Sequence, residues 1–196
     1  MGFYTLREAR RAAQSTLRNS FSQRSSTQIL REAMASSTDY QSFDIFLSHS
    51  FKDAELILGV KSILGDQGFS VYVDWHDDPQ MSRESVSKET AETLRKRMRQ
   101  SKSLIYVATD NASGSKWMPW ELGYFDGFKP KGVAILPLLE YESSSFKGQE
   151  YLSLYPVVQK GKYTSGATDV FVEELGKEWD TLKNFGRGTA NWRKYA

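Results

Sequence analysis

Four compact apolar runs, FDIFLS (43–48), FSVYVD (69–74), SLIYVAT (103–109) and GVAILPLL (132–139), recur along the chain with helix-length segments between them. Runs this apolar, rich in β-branched and aromatic residues, suit strands buried on both faces. The intervening segments change period. After Asp53, placed to cap a helix, Leu56, Ile57, Val60, Ile63 and Leu64 share one stripe before Gly65 and Gly68 stop it. Residues 85–100 read as a charged helix, with Glu84/Lys88 and Glu92/Lys96 at i,i+4 spacing and Val86, Leu94 and Met98 on its inner side. A third helix ends near Gly127. Alternating strands and helices favour crossover connections, so the expected architecture is α/β: a doubly wound parallel sheet of about five strands, covered on both faces. The Pro-containing YLSLYPVV (151–158) is the candidate edge strand. A last helix is expected over 168–185, carrying Val170, Phe171, Leu175, Trp179 and Leu182.

At 196 residues the chain can bury one good core with an appendage left over. The appendage is residues 1–40, expected as a helical extension and linker before a domain spanning 41–196. In it Leu6, Ala9, Ala13 and Leu17, then Ile29, Leu30 and Met34, suggest two short amphipathic helices around the polar NSFSQRSSTQ. It carries six arginines against three acids, whereas the whole chain is only +2. That balance gives no electrostatic case for nucleic acid, and packing on the domain or on another copy is the simplest role for the basic helices. There is no cysteine, which excludes thiol nucleophiles, thiolate metal sites and disulfides. Neither a membrane span nor a signal peptide stands out, so a soluble cytoplasmic protein without membrane partners is expected.

Sites in such sheets lie beyond the carboxyl ends of the strands. The loops there are HSFKD, DWHDDPQMSRE and TDNASGSKW, the last feeding the helix of SGSKWMPWELGYFDG (113–127). Trp117 and Glu121, four apart, fall on one helix face, and Tyr124 and Phe125 continue that side. Ser115 can cap the helix, and Pro119 is tolerated in its first turn. Two readings of Glu121 stay open on these residues alone: a carboxylate answering the helix dipole among packed aromatics, or the wall of a site. His49 and His76, the only histidines, lack metal-ligand spacing, and HDDP reads as a turn. No Walker-type or G-x-G-x-x-G loop appears. A receiver-type phosphorylation site would need acids ending strand one, where this chain has SHS, although Asp110 could pass as its acceptor.

Taken together, FDIFLSHSFKDAE, GFSVYVD, SLIYVATDNASGSKWMPWELGYF and VAILPLL resemble, in order, the segments of a Toll/interleukin-1 receptor (TIR) domain over roughly 43–182. The resemblance implies the flavodoxin-like TIR fold. In the NAD+-cleaving members a glutamate stands four residues beyond a tryptophan in the helix after strand three, which places Glu121 as the catalytic residue and Trp117 beside it. The resemblance further implies that Phe51 and its turn contact the nucleotide, with Ser48, Ser50 and Lys52 meeting its hydroxyls or phosphates and Asp74 and Trp75 lining the far wall. NAD+ is then the substrate, and neither a cofactor nor a metal is required. A lone TIR domain with a short helical prefix is also similar to the TIR subunits of Thoeris-type anti-phage defence, whose ADP-ribose-derived signal activates a separate effector. The family implies self-association through TIR–TIR contacts, with the loop 75–84 as gate.

Two rivals remain at this level. A non-catalytic TIR scaffold would assemble through the loop 75–84, and a nucleoside deoxyribosyltransferase-like enzyme would share the sheet and a glutamate but act on deoxynucleosides. The sequence does not decide among hydrolysis, cyclisation and conjugation.

Overall fold

A computed structural model describes residues 2–20, 24–75 and 88–195. The expected parallel sheet is present. Strands β2 (Phe43–Ser48), β3 (Val71–Val73), β4 (Ser101–Ala108) and β5 (Val133–Leu139) pair in parallel in the order β3-β2-β4-β5. Between them run α3 (Ala54–Asp66), α4 (Lys88–Arg99) and α5 (Trp117–Phe128). The strands are buried along almost their whole length, as their continuous apolarity requires. One face packs Ile45, Leu47, Ile105 and Val107 against Ile57, Val60 and Leu64 of α3. The other packs Phe46, Leu104 and Tyr106 against Leu94 and Met98 of α4 and Met118, Leu122 and Phe125 of α5. Arg95 of α4 also lies over the rings of Trp120 and Tyr124, with its guanidinium carbon 5.3 and 5.9 Å from their centroids.

The N-terminal segment folds onto the α3 side. Strand β1 (Tyr4–Thr5) pairs in parallel with Leu138 and Leu139 of β5, and α1 (Leu6–Asn19) follows from a capping box between Thr5 and Glu8. Ala9 and Ala13 of α1 are fully buried. A Cβ on Gly59 of α3 would lie 1.8 Å from the Ala9 carbonyl oxygen, so glycine alone permits this helix approach. Helix α2 (Ser26–Ala35) buries Leu30 and accepts the Trp75 backbone N–H on Met34 Sδ at 3.2 Å.

Two expectations for the C-terminal third are overturned. The edge strand at 151–158 is instead a 3-10 turn at Glu150–Leu154 followed by β6 (Val157–Lys162), which lies between β5 and the next strand rather than at an edge. Pro156 has no N–H to donate; its carbonyl accepts from Ile135 N at 2.9 Å and starts the pairing. The helix at 168–185 is an antiparallel meander of β7 (Thr168–Glu174) and β8 (Glu178–Thr181), with only Leu182–Gly186 helical as α6 and a short β9 at Arg193–Lys194 beyond. Val170-Phe171-Val172 prefers the pleat, and Gly176 turns at φ 72° between the strands. Phe171 and Trp179 meet edge to face at 5.5 Å, a packing that the helical spacing had imitated. Asp53, expected as a capping residue, makes no cap hydrogen bond with its side chain.

Candidate active site

Strand order reverses between β2 and β4, since β3 lies on one side of β2 and β5 beyond β4. The crevice of a doubly wound sheet opens at such a switch point, beyond the strands' carboxyl ends. Ser48, the last residue of β2, points to the α5 face as Phe46 does, two positions earlier. Its Oγ donates to Glu121 Oε2 at 2.5 Å. Glu121 sits one turn into α5, whose start is held by Met118 N donating to Ser115 Oγ at 3.3 Å. Glu121 is only 6% exposed. Burial pushes its pKa up to about 8; the Ser48 hydrogen bond opposes that and the Asp74 charge adds to it. A buried carboxyl with a raised pKa at a sheet switch point makes Glu121 the candidate functional group of this crevice.

The turn after β2 follows directly on Ser48. His49 Nδ1 lies 2.8 Å from the Leu47 carbonyl oxygen, which can only accept, so Nδ1 carries the proton and Nε2 is left as an acceptor. Burial holds the imidazole pKa below its usual value and so favours the neutral ring. It stacks on Trp75 at 5.3 Å and 6°. Ser50 is buried and its Oγ accepts from Lys52 N at 3.4 Å. Asp53 fastens the two loops across the switch point: Thr109 Oγ1 and Asn111 Nδ2 each donate to its carboxylate at 2.6 Å. Asp74 accepts from Tyr72 Oη at 3.0 Å.

Of the residues singled out in the sequence, Ser48 and Glu121 are in direct contact, and Asp74 stands within electrostatic reach of them. Trp75 is 3% exposed, stacks on His49 and belongs to the α3-side core. Trp117 is half-buried and packs edge to face on Trp120 at 5.3 Å. Phe51 packs partly against the α3-side core, and the Lys52 side chain is exposed. The remainder of the loop 75–84, with His76 and HDDP, and the helix start with Val86 lie outside the described residues. His49, Asp53, Thr109 and Asn111, which make these contacts, fall in the strand-end loops HSFKD and TDNASGSKW, where no spacing in the sequence singles them out.

A model of the TIR domain family matches residues 45–161. The chain belongs to the TIR domain family. This TIR protein is also 48% identical, over 159 residues that make up 80% of its length and 82% of the relative's, to "Probable 3' cyclic ADP-D-ribose synthase ThsB'" of Bacillus cereus (strain MSX-D12). A shorter match, 40% identical over 83 residues, covers 42% of the TIR protein and 22% of "Putative cyclic ADP-D-ribose synthase TIR2" of Cytobacillus dafuensis. Among the described residues, no helix of the TIR protein is long and apolar enough to cross a membrane.

Proposed function

We propose that this TIR protein cleaves the nicotinamide–ribose bond of NAD+ and closes the ADP-ribose part into a cyclic signal, with Glu121 as the catalytic residue. The buried Ser48–Glu121 pair at the switch point carries the reading. Support comes from the B. cereus relative, whose name states a 3′ cyclic ADP-ribose synthase. In this reaction the C1–N bond to the pyridinium breaks, its electron pair leaves on nicotinamide, and the leaving group becomes neutral without a proton. A general acid is therefore unnecessary, in contrast to ordinary glycoside cleavage. The positive charge passes to an oxocarbenium-like ribose, and a fixed carboxylate in a water-poor site stabilises it. Cyclisation then requires an oxygen of the same ADP-ribose to reach the anomeric carbon before water does, releasing its proton. A neutral Glu121 in the empty site suits this scheme, because the arriving pyridinium cation favours the ionised form.

Trp117 is assigned the stacking face, Asp74 and Trp75 the far wall, and Ser50, Phe51 and Lys52 the nucleotide contacts. We further assign self-association through TIR–TIR contacts, a cytoplasmic setting in anti-phage defence and a separate effector for the product. Mass-resolved products from NAD+ test the reaction type: a cyclic product is lighter than ADP-ribose by one water. Linear ADP-ribose alone would reduce the reading to hydrolysis, and intact NAD+ at high protein concentration would return the scaffold reading.

A further inference from the structure

Tyr106 carries a hydroxyl that the fold does not use. The residue is wholly buried beneath α5, directly opposite Ser48 in the β2–β4 register and on the same face of the sheet. Among the described residues its Oη closes no hydrogen bond of good geometry, although the Tyr151 side chain stands near enough to interact with it. A buried donor left unmade forfeits its hydration without return, and phenylalanine would fill the same volume free of that loss. After burial itself, Tyr151 and Glu121 are the neighbours that hold the phenol above its ordinary pKa. Tyr151 spends its own proton on Gln149 Oε1. While Glu121 is neutral, it and Tyr151 offer the Tyr106 proton only uncharged oxygens, which are weaker acceptors than a carboxylate. Once Glu121 ionises, the carboxylate becomes the strongest acceptor in these surroundings.

We propose that Tyr106 is a positioning residue for Glu121: when the carboxyl ionises the two side chains close up, and the Tyr106 hydroxyl joins Ser48 as its second donor. Among the described residues, the other groups facing Glu121 are Ser48 from β2, which favours the charged form, and Asp74 from the end of β3, which opposes it. Tyr151 faces Tyr106 from the 3-10 turn. The significance for catalysis rests on the function proposed above, but the test does not. The protein is labelled with 13C at the glutamate carboxyls, Glu121 is assigned with Glu121→Gln, and its titration is followed by NMR in the wild type and Tyr106→Phe. The expected result is a midpoint about one unit higher in Tyr106→Phe, a Tm that is unchanged or higher, and an acid limb of nicotinamide release that moves with the midpoint. A midpoint that stays put overturns the proposal. A midpoint that moves in a protein releasing no nicotinamide upholds Tyr106 and overturns the function. Should Tyr106→Phe not fold, 3,5-difluorotyrosine at position 106, a stronger donor, is expected to lower the midpoint, and an unmoved one overturns the proposal equally.

Discussion

Ser48 and Glu121, 73 positions apart in the chain, share a 2.5 Å hydrogen bond that ties the end of β2 to the first turns of α5. Among the described residues it is the one influence that opposes burial and Asp74, which push the carboxyl toward the neutral form. Ser48→Ala removes it, so the Glu121 pKa moves above 8. Nicotinamide release at pH 7 should fall about tenfold and recover partly at pH 9. A uniform loss at both pH values would show that Ser48 acts otherwise.

The same carboxyl makes stability depend on pH. Its pKa is near 8 in the fold against 4.5 as the ordinary value, so between those pH values the native state holds a proton that the unfolded chain lacks. Stability from this group is full below pH 4.5 and is lost as pH rises through 8. Glu121→Gln should therefore match the wild type near pH 4.5 and exceed it by roughly 3–5 kcal/mol above pH 8. Urea titrations of both proteins across that range measure the gap.

Asp53 fastens the loops that flank the crevice. Asp53→Ala leaves the Thr109 hydroxyl and Asn111 amide without their acceptor, at a cost of about 2–4 kcal/mol. The KM for NAD+ should rise alongside the lower stability; an unchanged KM in folded variant would separate this tie from the site.

Helix α1 reaches α3 only because Gly59 has no side chain. Gly59→Ala sets a methyl against the Ala9 carbonyl and should destabilise the protein by about 2–4 kcal/mol. Amide exchange in α1 would accelerate first, and exchange unchanged there would contradict the packing.

The parallel core was legible because residues in strands covered on both faces must be apolar throughout, as in Leu104–Ala108, and because α3 wears a single stripe. The C-terminal meander was misread for a physical reason: Val170, Phe171, Leu175, Trp179 and Leu182 satisfy a helical period, yet Gly176 and the Val-Phe-Val triplet serve a hairpin better. Within the site, Glu121 could be singled out by its aromatic company and by family resemblance. Asp53 looked like a cap because it precedes a helix; that its carboxylate crosses to Thr109 and Asn111 depends on the packing of two distant loops. Tyr106 looked like any core residue of a strand, since nothing in SLIYVAT distinguishes a phenol that packs from one whose hydroxyl is left over.

The central claim is that Glu121 performs the cleavage. Nicotinamide release from NAD+ by concentrated wild-type protein, set beside Glu121→Gln of verified fold and unchanged Tm at pH 5, tests it most directly. The account predicts release by the wild type and a loss of at least about a thousandfold in the variant. Release by Glu121→Gln at the wild-type rate would contradict it.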